Sequence, residues 1–324
     1  MKKLLAVLLA LAMIFTLAAC GDNNSTGGDA NVNKDLTFAT GGEAGTYYAY
    51  GTVLAQYVSN NTDLSITAIT GNGSKSNVED MDAGDVQLAF CQSDIMSYAY
   101  NGTNGFDNKV DSFSSVCALY MEDVQIVTCD SSIKTAADLK GKTISVGAVG
   151  SGTYFNAIDV LTAYDMTLDD ITPVYQSFGD STESLKDNKI DAAFVVAGAP
   201  TTSIVDLSTA KQAYIVSIDD AHIEKLIAMS PYYSKHIIPA GTYGAAPEAQ
   251  TVAIAAMVLA RDDVDESVIY DFISTIFNNK PAVAEAHAKG NDLDPAFASS
   301  VTSVPFHKGA AKYFAEKGIT VETK

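Results

Sequence analysis

Short β-rich runs alternate with amphipathic helical segments over most of the chain, and this alternation constrains the fold more than any other feature. Strands that alternate with helices favour mostly parallel sheets with helices on both faces. The predicted strands are residues 36–40, 64–70, 86–91, 113–120, 124–129, 143–146, 171–175, 192–196, 213–217 and 252–259. The predicted helices are residues 46–59, 76–83, 136–140, 153–164, 181–188, 201–207, 221–228, 265–277, 281–288 and 308–317.

The length of the chain indicates more than one hydrophobic core. With 324 residues, 47% of them hydrophobic, the chain is long enough for two ordinary lobes. We therefore predict an α/β fold of two lobes, with two doubly wound sheets joined by crossing strands. One predicted crossing lies near residues 124–129 and the second is residues 250–260, because helices typical of the first lobe resume only after the second run. The predicted bounds are residues 36–121 plus 261–324 for the first lobe and 122–249 for the second.

The charge balance excludes whole classes of function. The chain has 20 Lys and Arg against 39 Asp and Glu, a formal net charge of −19, so a basic face for nucleic acid is not expected. It has four histidines, no tryptophan and a single arginine, Arg261. Metal sites built on imidazole and clamps built on several guanidinium groups are therefore not expected.

The first residues form an export signal. Lys2 and Lys3 precede an apolar run at residues 4–17, which is shorter than the roughly 20 residues of a membrane-spanning helix. The run ends Leu17-Ala18-Ala19-Cys20, which resembles a bacterial lipobox. This resemblance implies a signal peptide at residues 1–19 and lipidation of Cys20, and the polar residues 20–35 are then a flexible tether. An ordinary secretory signal and a permanent membrane span are the alternatives.

Three further cysteines lie in apolar, strand-like runs: Cys91, Cys117 and Cys129. An exported protein can form disulfides, but an odd number without a sequence-close pair favours buried free thiols. The sequence leaves a disulfide among the three open.

Glycines and hydroxyl residues gather where predicted strands end and predicted helices begin. Four segments have this composition: residues 40–48, 70–77, 91–94 and 147–154. Ligands in open α/β sheets bind at the carboxyl ends of strands, where free helix N–H groups favour anionic oxygens and glycine lets the backbone approach closely. Each segment alone is typical of a turn with a helix cap. Together they predict a ligand site, with three segments from the first lobe and one from the second.

The sequence contains no complete catalytic motif of the kinds considered below. Residues 140–143, Lys-Gly-Lys-Thr, have the end of a phosphate-binding loop without its start, and they lead into a predicted strand instead of a helix. The sequence contains no GxSxG, HExxH or HxxxH motif. We therefore predict a protein that is not an enzyme and that needs no cofactor and no metal.

Motifs in the same order and spacing are found in one receptor family. In the first lobe they are Thr40-Gly41-Gly42, Gly45-Thr46-Tyr47-Tyr48, Gly73-Ser74 with Asn77, and Gln92-Ser93-Asp94. In the second lobe they are residues 137–142, 150–153, 185–192, 198–200 and 238–243. From about Leu36 to the C-terminus the chain closely resembles the TAXI family of TRAP-transporter solute receptors. Two residues depart from the family pattern: Ala49, where relatives often have proline, and Glu43, in a loop that usually holds small neutral residues.

The resemblance implies a type II periplasmic-binding-protein fold that closes on a small-molecule solute and delivers it to the integral membrane subunits of a TRAP-type secondary transporter. It also implies an extracytoplasmic protein, lipid-anchored to the bacterial cell membrane and monomeric. The ligand-binding residues that it implies are Gly42, Thr46, Tyr47, Asn72, Ser74, Asn77, Gln92, Ser151, Gly152, Thr153 and Ala199. A receptor for another importer or a sensor, and an enzyme on the same bilobal scaffold, are the alternatives.

The sequence offers no arginine for the predicted cleft, and this constrains the chemistry of the solute. Arg261 precedes Asp262-Asp263, which favours a surface ion pair over a role in the cleft. An acidic solute must then be held by backbone N–H groups, hydroxyls and Lys75, and the leading prediction is a glutamate-like amino acid or another small carboxylate. Tyr47 with Phe178 or Tyr154 would form apolar walls. The direction of Glu43 bears on this prediction, because a carboxylate facing the cleft would repel an anion.

Overall fold

The computed structural model describes residues 32–324. The predicted signal peptide and the lipidation site Cys20 lie outside the described residues. The predicted tether reaches them only at its end, where Asp35 already belongs to a strand and pairs with Ser65. No helix within residues 32–324 combines the length and the apolar character that a bilayer span requires.

The described residues alternate between strands and helices, as the sequence pattern predicts. The strands are β1 (Asp35–Ala39), β2 (Ser65–Ile69), β3 (Leu88–Gln92), β4 (Phe113–Thr128), β5 (Thr143–Ser145), β6 (Thr172–Val174), β7 (Ala192–Ala197), β8 (Tyr214–Ile215), β9 (Ser234–Ile238) and β10 (Ala249–Arg261). The helices are α1 (Thr46–Asn61), α2 (Ser74–Ala83), α3 (Ser93–Asn101), α4 (Gly152–Ala163), α5 (Phe178–Lys186), α6 (Thr202–Ala210), α7 (Asp220–Met229), α8 (Glu266–Asn278), α9 (Lys280–Ala286), α10 (Pro295–Ala298) and α11 (Lys308–Glu316). Short 3₁₀ helices are Ala136–Leu139, Leu168–Asp170 and Ala288–Asp292.

The strands form one continuous hydrogen-bonded path in the order β2-β1-β3-β10-β4-β7-β5-β6, with β8 added to β4 and β9 to β10. Parallel pairing is confined to the outer strands, where β1 pairs with β2 and β3, and β5 pairs with β6 and β7. Strands β4 and β10 are antiparallel to each other and to their neighbours. The prediction of mostly parallel sheets is therefore wrong at the centre, because one long strand leads into the second half and the other returns from it.

Strand β4 is a single 16-residue strand where the sequence predicts two. The predicted break falls at Met121, Glu122 and Asp123, but these residues stay in register with Ala255, Ile254 and Ala253 of β10. Backbone pairing continues through the charged residues because no glycine or proline interrupts the run. Glu122 and Asp123 are only 2% and 3% exposed, so both carboxyl groups are buried inside the protein.

Strands β4 and β10 contribute side chains to separate hydrophobic cores. Phe113 and Ala118 of β4 pack in the core formed with α2 and α3, together with Ala255 and Met257 of β10. Val124 and Ile126 of β4 pack in the core formed with α4 and α7, together with Val252 and Ile254 of β10. The change from one core to the other falls at residues 119–123 of β4 and at residues 254–255 of β10, so the link between the lobes is short.

Strand β9 and helices α3 and α10 were not predicted from the sequence. Strand β9 reads Ser-Lys-His-Ile-Ile and lies exposed on β10, so its composition lacks the apolar alternation of a half-buried strand. Helix α3 was expected only as a helix start.

The surface ion pair predicted for Arg261 is confirmed, since its Nε donates to Asp263 Oδ1 at 2.6 Å and its Nη1 to the Gly84 carbonyl at 2.7 Å.

We predict that Gly309→Ala destabilises the protein by about 1 to 3 kcal/mol, because a β-carbon there would lie 2.2 Å from the Glu266 carbonyl oxygen and 2.7 Å from the Tyr270 nitrogen. These are backbone atoms of α8 and cannot rotate away. The matched control is Gly179→Ala in α5, where the nearest atom lies at 3.6 Å. That change should be neutral or stabilise by up to about 1 kcal/mol. Equal thermal unfolding temperatures for the two variants would contradict the tight α8–α11 contact.

Candidate functional site

The glycine- and hydroxyl-rich segments of both lobes meet at one cavity. The centre of a water molecule can reach about 80 Å³ of this cavity. In this conformation the cavity therefore has room only for a small solute. Nine of the eleven predicted ligand-binding residues line it: Gly42, Thr46, Tyr47, Asn72, Ser74, Gln92, Ser151, Gly152 and Thr153. The structure thus brings together segments that lie more than 100 residues apart in the chain, and a role for these residues in binding stays a prediction.

Four helices begin at the wall of this cavity. Thr46 and Tyr47 open α1, Ser74 opens α2, and Phe178 opens α5. Gly152 and Thr153 open α4. Helices α4 and α5 both belong to the second lobe, but only α4 follows one of the predicted glycine-rich segments. The first N–H groups of a helix have no partner within the helix, and the helix dipole adds partial positive charge there. Since α1, α2 and α4 carry no acidic residue in the first turn, these helix ends are free to stabilise anionic oxygens.

The two halves of the wall are in direct contact. The Ser76 amide donates to the Gly150 carbonyl at 3.1 Å. A β-carbon on Gly73 would lie 3.3 Å from the Ser151 α-carbon, and one on Gly152 would lie 1.7 Å from Gln92 Oε1. A β-carbon at Gly152 would require the Gln92 side chain to move, so this glycine lets the two walls approach each other closely.

Two predicted residues do not line the cavity. The Asn77 amide lies below it and donates to the carbonyl oxygens of Thr40 at 2.7 Å and Phe90 at 2.8 Å. Asn77 therefore holds the end of β1 to β3 and does not line the cavity, and its role in binding stays a prediction. Ala199 lines an adjoining pocket with Thr46 and Lys289.

Some of the other residues that the sequence suggested for the site line the cavity, and others lie outside it. Phe178 lines the cavity and Tyr154 does not. Lys75 pairs with Glu79 at 2.7 Å and stays outside the lining. Glu43 is exposed and borders a separate open depression on the outer side of Gly42, so it does not face the cavity.

Glu122 is the acidic lining residue that the sequence analysis missed, and Ser177, Val196 and Ala197 also line the cavity from outside the predicted segments. Its carboxyl Oε2 accepts a hydrogen bond from Tyr47 Oη at 2.8 Å, and the Tyr47 ring stacks on Phe90 with 4.5 Å between centroids. Burial raises the pKa of Glu122 to about 8, although the Tyr47 hydrogen bond opposes this shift. An acidic residue inside a long apolar strand was the available signal, and it was interpreted as the end of a strand.

A second buried acid links the lobes beside the cavity. Asp94 of α3 is fully buried, and its Oδ2 accepts from Asn156 Nδ2 of α4 at 3.1 Å. The same Asn156 amide donates to Tyr233 Oη at 2.8 Å, and Tyr233 donates to Asp159 at 2.8 Å. Burial raises the pKa of Asp94 to about 7. This chain of polar groups connects α3 of the first lobe with α4 and Tyr233 of the second.

A family model and several solved structures match this chain. The model described as the NMT1-like family matches residues 38–318. The chain belongs to the NMT1-like family. The prediction of the narrower TAXI family is not tested by this match.

Among solved structures, MatC from Rhodopseudomonas palustris with bound malate has a TM-score of 0.57 at 11% identity, covering 87% of this chain and 97% of that one. A structure titled as a periplasmic transporter has a TM-score of 0.52 at 13% identity, covering 81% and 88%. A putative L-cystine ABC transporter from Listeria monocytogenes has a TM-score of 0.50 at 14% identity, covering 81% and 99%. These similarities concern the fold, and they confirm the predicted two-lobed periplasmic-binding-protein class.

We predict that Glu122→Gln flattens the pH dependence of stability. Because burial raises the pKa values of Glu122 and Asp94, the folded protein keeps protons that the unfolded chain releases from about pH 4 upward. The stability associated with these protons is present at low pH and is lost as pH rises towards 8. The free energy of unfolding, measured with urea between pH 5 and pH 8 without added solute, should therefore fall less in Glu122→Gln than in the wild type.

The control for this experiment is Glu43→Gln, which removes an exposed carboxylate and should keep the wild-type slope. His236, whose pKa is raised mainly by its hydrogen bond with Asp123, acts in the same direction as Glu122, whereas burial lowers the pKa of His287 and His307 and acts against it. These histidines are present in every variant, so their effects cancel in the comparison. Identical slopes in the wild type and Glu122→Gln would show that Glu122 is not held in a desolvated site.

Proposed function

We propose that this protein is an extracytoplasmic receptor that closes its two lobes around a small solute. The observation that carries this proposal is the cavity, because four helix N-termini contributed by both lobes surround one small, closed space. Within the described residues its lining holds no histidine, cysteine or lysine, and no hydroxyl is paired there with a base. An arrangement of this kind favours binding over catalysis.

The solute that fits this lining best is a small carboxylate, with a glutamate-like amino acid as the leading candidate. Carboxylate oxygens at the start of α4 would accept hydrogen bonds from the amides of Gly152 and Thr153, which lie too early in the helix to have helical partners. The Thr153 and Ser74 hydroxyls lie in the same wall. Phe178 and the Tyr47 ring supply apolar surface for the aliphatic part of the solute.

Closure is proposed to occur about β4 and β10, at the short stretch where these strands pass from one core to the other. A solute shifts the equilibrium between open and closed forms only if it binds the closed form more tightly. Contacts to Ser74 on one side and Thr153 on the other would provide this difference, since these residues are brought together only by closure.

The proposed partner is a TRAP-type secondary transporter, with the receptor tethered to the membrane through a lipid on Cys20. The motif order shared with TAXI receptors supports the first part, and the lipobox-like residues 17–20 support the second. An ABC importer is the second candidate, since one structural neighbour carries that description. Uptake that stops when the ion gradient is dissipated but continues when ATP is depleted would favour the TRAP type, and the reverse result would favour the ABC type.

We predict that Thr153→Val weakens solute binding by about 1 to 2 kcal/mol, or roughly 5- to 30-fold, because it removes one hydroxyl from a desolvated cavity at nearly constant volume. The matched control is Thr162→Val in the same helix, where the side chain is exposed and outside the cavity. Isothermal titration with the solute retained on purification, identified by native mass spectrometry, measures both. Unchanged affinity in Thr153→Val would remove the start of α4 from the site.

A further inference from the structure

The cavity contains acceptor groups that no described residue satisfies. Gln92 is 2% exposed and lines the cavity, and its Oε1 is buried without a hydrogen-bond partner among the residues of the structure. Glu122 receives one hydrogen bond, from Tyr47 to Oε2, and its other carboxyl oxygen receives none from residues 32–324. Gln92 Oε1, a buried acceptor without a donor, and the Glu122 carboxyl oxygen without a partner both belong to the wall of this small cavity, and together they indicate a ligand that brings N–H or N⁺–H groups.

No cation of the protein is available to Glu122 inside the cavity. Within the described residues, Glu122 is the only acidic or basic residue in the lining. The nearby Lys289 lies in the adjoining pocket, where its Nζ is 5.3 Å from the centre of the Tyr120 ring and 3.4 Å from Asp292 Oδ2. The other acids near Glu122 are Asp94 and Asp123, and both act against its ionisation. A buried carboxylate without a partner is costly, so a cationic group of the ligand would gain most at this position.

The groups that would bind an anion and the group that would bind a cation lie on different helices and strands of the cavity wall. The helix starts of α1, α2, α4 and α5 offer N–H groups, whereas the carboxyl group comes from strand β4. A molecule with a carboxylate and an ammonium group a few bonds apart matches both. A dicarboxylate matches only the helix starts and would place its second carboxylate near Glu122.

We propose that Glu122 binds the ammonium group of the solute and that this contact makes the receptor select amino acids over the corresponding 2-hydroxy acids and dicarboxylates. This inference rests on the proposed receptor function and names the residue that decides the charge of the solute. Tyr47 is the positioning residue, because its hydroxyl fixes one oxygen of the carboxyl group and leaves the other for the solute.

The test is isothermal titration of the full chain with a panel of L-amino acids, each paired with its 2-hydroxy acid, together with glutarate and succinate. The wild type should bind at least one amino acid 100-fold or more tightly than its 2-hydroxy acid. Glu122→Gln should reduce this ratio below 10-fold by weakening the amino acid. Glu43→Gln removes an equal charge outside the cavity and should keep the wild-type ratio.

A second variant guards against loss of folding in Glu122→Gln. Glu122→Asp retains a carboxylate, and it should bind the amino acid more weakly than the wild type while still preferring it to the 2-hydroxy acid by more than 10-fold. A wild type that binds a hydroxy acid or dicarboxylate as well as or better than every amino acid overturns this inference and leaves the receptor function intact. A wild type that binds no small molecule, either from the panel or from a cell extract, overturns both.

Discussion

The rest of the structure depends on two long strands that each pass through two hydrophobic cores. Strands β4 and β10 pair along their length, and their side chains change from one core to the other within a few residues. The two lobes are therefore linked through a short stretch of paired backbone, and the proposed closure would take place there. The cavity adjoins this stretch through Glu122, so its wall includes residues of both lobes.

Burial of charge gives the same stretch its chemical character. Glu122 and Asp123 follow one another along β4, and successive side chains of a strand point to opposite faces. Glu122 faces Tyr47 and the cavity, whereas Asp123 pairs with His236 of β9. Placing two carboxyl groups in the interior costs stability unless each has a partner. Asp123 has its partner within the protein, and Glu122 has only the neutral Tyr47 hydroxyl, which is why we propose that the solute supplies the second partner.

Polar contacts join the two lobes beside apolar ones such as the Tyr98–Tyr232 ring pair. The Ser76–Gly150 backbone hydrogen bond, the Thr46 hydroxyl on the Gly198 carbonyl and the Asp94–Asn156 pair all join the two sides. Each such bond contributes about 1 kcal/mol in net terms because water replaces it when the lobes separate. Weak, replaceable contacts of this kind are compatible with the proposed closure on a solute and its release.

The sequence by itself determined the fold class and most of the cavity wall, because both follow from local patterns. The alternation of strand and helix predicts the two-lobed α/β architecture, and glycine with hydroxyl residues after a strand marks a helix start wherever that strand lies in the sheet. Only the tertiary structure decided which remaining polar groups face the cavity. Asn77 turned out to bond to backbone carbonyls and Glu122 turned out to be in the wall. Both outcomes depend on long-range contacts, such as the pairing of Glu122 with Ile254, that no local window of residues contains.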